Sequence, residues 1–295
     1  MTVMVEPVPV SSSFARPPGA GFTRHLNGSD WLAIAAGAVV ALIVLIAIIS
    51  PWIAPYDPYA LDPLNALAPP SPAHLLGTDD LGRDIFSRLL VGSRTTLLGP
   101  FIVVCAAAMV GTLLALTAAW FGGWYDSVIS RALDILFAFP ALILALTVTS
   151  LFGTGFVAPV VALSIAYVPI VARIMRAAAL REQSLPYIEA LEVQGFPSMH
   201  IWRRHLLPNL APLLFVQCAI SFGYAMLELA ALSFLGLGLQ PPAANWGLMI
   251  ANGQPSLLAG SPEQSLFAAL AVVVTVIAFT LVAENLAGRF EAGRP

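Results

Sequence analysis

Tyr187-Ile188-Glu189-Ala190-Leu191-Glu192-Val193-Gln194-Gly195, followed after nine residues by His205-Leu206-Leu207-Pro208-Asn209, is a polar island set between long uncharged apolar runs. Pro186 suits the first turn of a helix, where an N–H would have no partner, and Glu189 near that start is favoured by the helix dipole. Gly195 supplies a permissive C-terminal position. A short helix is therefore expected, with Tyr187, Ile188 and Leu191 close enough in projection to form an apolar contact patch. Ser198 starts a second helix through Trp202 and Arg203, expected to end near Leu207 because the residue before Pro208 is biased away from helix. Helix, glycine, helix is the plan of a rigid projecting knob.

The runs on either side set the class. Hydrophobic residues make up 59% of the 295-residue chain and charged residues 10%, against roughly 25% charged in soluble domains. Mean hydropathy is +0.87. About 20 apolar residues cross a hydrocarbon core of roughly 30 Å, and the uncharged segments place spans at about 31–53, 95–121, 133–152, 156–175, 208–235 and 265–285. The third and fourth come from one run, Ile135 to Ala172, divided at Gly153-Thr154-Gly155. The expected fold is an all-α integral membrane protein of six transmembrane helices. A cleaved signal peptide is the alternative for the first span, but the run is long for one and lacks a small-residue cleavage site.

All 13 basic residues are arginine, and positive charge is retained on the cytoplasmic side. With the N-terminus inside, Arg16, Arg24, Arg131, Arg173, Arg176, Arg181, Arg203, Arg204, Arg289 and Arg294 are cytoplasmic, leaving Arg83, Arg88 and Arg94 outside. Both termini, and the segment from 184 to 208, are then cytoplasmic.

Residues 1–30 are rich in Pro, Ser and Gly and read as a mobile tail, with residues 291–295 as a second one. Residues 51–72 carry seven prolines and read as an extended outer connection. Beyond them, Thr78 is expected to cap a short helix ending at Gly92, with Leu81, Ile85, Phe86, Leu89 and Leu90 on one face and Arg83, Asp84 and Arg88 opposite, lying along the membrane surface or against the bundle. Glu228 falls about 10 Å from the outer end of the fifth span; a carboxyl facing lipid there is costly, so it turns inward. It either lines the translocation path or fixes helix packing. Asp134 and Glu284 read as interfacial or capping charges at cytoplasmic helix ends. Pro140, Pro159 and Pro169 are hinges or static kinks, and the frequency of Pro in membrane helices favours kinks.

Glu189, Ala190, Gly195, Leu207 and Pro208 match the pattern of the EAA motif, by which the membrane subunit of a binding-protein-dependent ABC importer docks on its ATPase. Leu191 and His205 depart mildly from it. His74-Leu-Leu-Gly-Thr-Asp-Asp-Leu-Gly-Arg-Asp-Ile-Phe-Ser-Arg-Leu-Leu90, Phe121-Gly-Gly-Trp-Tyr-Asp126 with Arg131-Ala-Leu-Asp134, and Leu232-Ser-Phe-Leu-Gly-Leu-Gly-Leu-Gln-Pro-Pro242 with Asn245-Trp-Gly247 are similar to segments of dipeptide, oligopeptide and nickel permeases. The chain thus resembles such a permease, of the "C" type, over residues 31–290. The resemblance implies a type I importer architecture, a coupling role for Tyr187, Glu189, Ala190, Leu191, Gly195, Leu207 and Pro208, and a plasma (inner) membrane location. It also implies as partners a second, non-identical permease, two ATP-binding subunits and an extracytoplasmic solute-binding protein.

The chain carries no nucleotide machinery of its own: without lysine a phosphate-cradling Gly-x-x-x-x-Gly-Lys-Ser/Thr loop cannot form, so ATP and Mg are expected to serve partner subunits. His25, His74, His200 and His205 are scattered, Cys105 and Cys218 lie in apolar runs, and no metal-ligand or Gly-x-Ser-x-Gly spacing supports a metal site or an intramembrane hydrolase. Nothing suggests a nucleic-acid partner. The competing class is an ion-coupled secondary transporter, in which buried carboxyls near the midplane carry the ion; only Glu228 is deep enough.

Overall fold

The computed structural model describes residues 28–292, with side chains from 31 to 288. Positions 1–27 and 293–295, with Arg16, Arg24 and Arg294, lie outside the described residues. Gly28 to Asp30, assigned above to the tail, already belong to the first helix, and residues 291 and 292 to the last. The described chain is almost entirely helical, with no strand.

Helix α1 (Gly28–Ile53) is followed by the proline-rich connector. Then come α2 (Ile85–Phe121), α3 (Gly123–Phe137), α4 (Ala141–Phe152) and α5 (Val157–Gln183). The polar island forms α6 (Pro186–Val193), α7 (Ser198–Ile201) and a π turn (Trp202–Leu206) that runs into α8 (Leu207–Phe234). Two short helices, α9 (Trp246–Asn252) and α10 (Gln254–Leu258), precede α11 (Glu263–Ala292). Among the described residues five helices are long and apolar enough to cross a membrane, and the bent pair α3–α4 makes six if it is counted as one span.

The bundle is built on α2 against α5. Small residues let these backbones approach: Ala107, Ala115, Ala162 and Ala172 are buried there, and a Cβ on Gly111 would meet the Val168 carbonyl and Val171 Cβ at 3.0 Å. In lipid, where apolar surface gains nothing by leaving tails for protein, such close packing is what holds helices together. A second core joins α2, α8, α9 and α11 around Met226, Trp246 and Met249, with Phe222 stacked on Phe279 at 4.0 Å between ring centroids. Helix α1 rests on α2 and α11 and leaves Trp31, Leu42, Ile48 and Trp52 exposed, a face suited to lipid.

Three local expectations are corrected. The third crossing is not one helix over 133–152: it breaks before Ala141, where Pro140 caps α4, and the halves are bent by 78°. The short surface helix capped by Thr78 and ending at Gly92 does not form. Asp84 is the cap, its Oδ2 accepting from the Ser87 N–H and hydroxyl at 2.7 Å each, and α2 runs through Gly92, which lies close under the Ala244–Asn245 backbone. The helix after Ser198 does not stop at Leu207 either. The π turn lets the Leu207 N–H reach the Trp202 carbonyl, so the chain passes Pro208 without a break.

Candidate functional site

The loop from Ser184 to Asn209 is a folded unit. Helix α6 starts on Pro186 after an extended Leu185 and ends in a Schellman motif: Phe196 N–H bonds the Leu191 carbonyl at 3.2 Å and Gly195 N–H that of Glu192 at 2.9 Å. Gly195 sits at φ +79°, the left-handed geometry this cap requires. Tyr187, His205, His200 and Phe196 form a ladder of rings, with successive centroids at 6.3, 6.1 and 5.1 Å, that braces α6 against α7 and the π turn.

Three polar side chains tie this unit to two membrane helices. Tyr187 donates its hydroxyl to Glu182 Oε1 at 2.7 Å, and Asn209 Nδ2 reaches the same oxygen at 2.9 Å and the Tyr187 hydroxyl at 3.0 Å. Glu182 closes α5 and Asn209 opens α8, so the triangle joins the end of one span, the loop and the start of the next. Burial, with the hydrogen bond to Glu182 and its nearby charge, pushes the Tyr187 phenol up to about 12, so it remains a donor at physiological pH. Sequence reading missed Glu182. Its signal, an acid four residues before Pro186, is weak alone. Trp202 of the π turn packs edge-on against Trp120 at 5.7 Å, which adds the C-terminal end of α2.

Of the expected contact patch, Ile188 is buried within the chain and Tyr187 is held in the triangle, so the patch read from helical projection does not face outward as drawn. Glu189, Ala190, Gly195, Leu207 and Pro208 are exposed and Leu191 is half-buried. The outward apolar surface comes instead from Val193, 83% exposed, with Phe196 and Met199. Above the loop, Arg176 on α5 grips Asp126 on α3, and Arg173 pairs with Asp134 at 3.0 Å while lying over the Phe137 ring. Asp134 is thus a surface partner, as expected.

Glu228 is half-buried on α8 beside the buried Tyr167 hydroxyl of α5. Its Oε2 is shielded and has no hydrogen-bond partner among the described residues. The carboxyl does turn into the bundle.

The opposite end holds a cluster that sequence reading placed on the polar face of a short helix. Arg83, Asp84 and Arg88 are buried, as is Asp79. Asp79 accepts from Arg83 Nε at 2.7 Å and from the N–H groups of Arg83 and Leu81, while Arg88 Nε stands 3.6 Å away. Arg88 donates to the Pro58 carbonyl at 2.7 Å and the Ala243 carbonyl at 3.3 Å, and His74 Nδ1 meets Asp84 at 2.9 Å. One arginine thereby fastens the connector of residues 54–84 and the loop before α9 to the top of α2.

Residues 107–294 match the model of the binding-protein-dependent transport system inner membrane component, and residues 29–70 match the N-terminal transmembrane domain of oligopeptide transport permease C. The chain belongs to the binding-protein-dependent transport permease family. This permease is 36% identical to the probable D,D-dipeptide transport system permease protein DdpC of Escherichia coli K12, over 91% of this chain and 89% of that one. It is 39% identical to the glutathione transport system permease protein GsiD of Pectobacterium atrosepticum, over 92% and 90% respectively, and 37% identical to the dipeptide transport system permease protein DppC of Alkalihalophilus pseudofirmus, over 86% and 84%. Among solved structures, a chain of the inward-facing MetNI methionine ABC transporter superposes with a TM-score of 0.56 at 20% identity, covering 68% of this permease and 94% of that chain, a likeness of fold. This permease is accordingly a multi-pass membrane subunit of an ABC import system, and none of these findings favours the ion-coupled alternative.

Proposed function

We propose that this permease forms half of a translocation channel with a second, non-identical permease, and that two ATP-binding subunits drive it through the 186–208 loop while an extracytoplasmic solute-binding protein delivers the cargo. The cargo class is peptides or a related small solute, as the names of the relatives suggest. The observation that carries the reading is the triangle of Glu182, Tyr187 and Asn209: a push on the exposed α6 surface is delivered at once to α5 and α8. Tyr187 anchors the lever. Glu189, Ala190 and Leu191, with Leu207 and Pro208, offer the docking surface, and Gly195 fixes the angle between its two helices. ATP and Mg act in the partner subunits, which supply the lysine-bearing phosphate loop this chain lacks.

The reading requires both termini and the loop to lie in the cytoplasm of a cell with this permease in its plasma (inner) membrane. In a background with Cys105 and Cys218 replaced by alanine, Ser71→Cys and Leu258→Cys should react with an impermeant maleimide on intact cells, because both positions are exposed in outer segments. Ser198→Cys should react only after the membrane is opened. Labelling of Ser198→Cys from outside would invert the topology and remove the loop from any cytoplasmic ATPase.

Glu228 belongs to the wall of the path on this reading. Its shielded Oε2 lies within the bundle beside the Tyr167 hydroxyl, and ionisable groups inside membrane spans mark pathways. Glu228→Gln keeps size and removes charge, so uptake should fall several-fold with unchanged abundance and subunit assembly. Wild-type uptake in that variant would leave the carboxyl a packing role alone.

A further inference from the structure

Between α1, α2, α8 and α11 lies a groove of about 610 Å³, open to the side of the bundle and lined almost wholly by apolar side chains. Its only charged lining residue is Arg94, which is exposed and engages no acid or carbonyl among the described residues. The apolar wall runs along α1 from Val40 to Ile48. Eight steps of 1.5 Å make about 12 Å, against roughly 15 Å for the hydrocarbon of one leaflet. The groove floor is the stacked pair Phe222 and Phe279. Trp52, one turn beyond Ile48 and 79% exposed, marks the aromatic belt at the membrane face where α1 ends. Arg94 thus sits just below headgroup level, where a long side chain raises its charge to the interface.

A guanidinium facing lipid needs an anion. The rest of the groove lining is apolar and suits an acyl chain, and phosphate is the normal anion of the headgroup level. The geometry points to a phospholipid site in this groove: one acyl chain lies against Val44 and Leu98 down to Phe222, and Arg94 holds the phosphate of a headgroup with net negative charge. The site lies in the outer leaflet on the orientation proposed above, but lipid retention in purified material tests it whichever way the chain is inserted. A zwitterionic amine headgroup competes poorly, because its ammonium repels Arg94.

The test extracts the full-length permease, with the subunits that accompany it, from membranes of equal phosphatidylethanolamine and phosphatidylglycerol, and counts retained lipid by native mass spectrometry. Wild type should retain phosphatidylglycerol above its share of the bilayer. Arg94→Gln should lower that enrichment roughly fivefold, as expected for one basic group at a membrane surface, and Arg94→Lys should restore it. Val44→Trp, which fills the groove and leaves the charge alone, should lower retention of both lipids. Unchanged enrichment in Arg94→Gln, or unchanged total lipid retention in Val44→Trp, would overturn the site. So would quantitative cross-linking of Leu98→Cys to another subunit, which would make the groove a protein interface.

Discussion

Gly195→Val is expected to leave the permease in the membrane while lowering solute imported per ATP hydrolysed by between about five- and 150-fold, the span of a coupling free energy of about 1–3 kcal/mol. The cap of α6 depends on φ +79° at this residue. A residue with a Cβ loses about 1–2 kcal/mol in that geometry, and a β-branched one more. Nothing lies within 4 Å of a Cβ built there, so the effect is conformational and not steric against a neighbour. The cheaper outcome for the chain is to abandon the left-handed turn, which swings α7 and its Met199 surface away from α6. Gly195→Asn should retain most coupling, because asparagine tolerates the same cap. Reconstituted vesicles, with transport and hydrolysis measured together and subunit stoichiometry checked, decide the matter. Wild-type coupling in the valine variant would make this loop a bystander.

Asp79→Leu is expected to be the most damaging single change outside the loop. It strips the buried Arg83 and Arg88 of the carboxylate between them, and breaking a buried pair by removing one partner costs about 3–5 kcal/mol. The folded permease should disappear from membranes, or inactivate far faster on mild heating in detergent. Asp80→Ala removes a neighbouring acid 3.9 Å from Arg83 but half exposed, so it should cost at most about 1 kcal/mol. Equal thermal behaviour of the two variants would show that the outer cluster does not hold the connector.

Much of the architecture is written in short-range signals. A charge-free run near 20 residues long announces a span, and Gly153-Thr154-Gly155 announces a reversal, because neither statement depends on distant partners. Gly195 is legible for the same reason: its backbone geometry is local. Arg88 is not. Its partners are 30 and 155 residues away, and a helical projection over 81–90 puts it on the polar side, which in a soluble or surface helix would face water. Only the folded connector covers that side. Asp84 three residues before Ser87 was an available cap signal, yet Thr78 competed for the same role. Within the loop, projection grouped Tyr187, Ile188 and Leu191 as a contact patch but could not tell that Tyr187 bonds back to α5 and α8 and that Ile188 is buried. Pro140 announces a break in the third crossing, though not a bend of 78°.

The π turn at Trp202–Leu206 has a consequence for how the permease can change over time. Ser198–Phe234 is continuous over 37 residues, but a π turn contains one residue more than the α turn it replaces, which offsets everything before it by about 100° around the axis. The exposed face of the loop and the stripes of α8 are therefore clocked independently along one rod. Losing or gaining a single residue between 202 and 206 would turn the loop against the span, so that Asn209 and its partners Glu182 and Tyr187 would have to be re-matched while the buried stripe of α8 keeps its place. Matching a permease to a differently shaped ATPase groove then needs re-indexing at one turn, with no redesign of the translocation pathway.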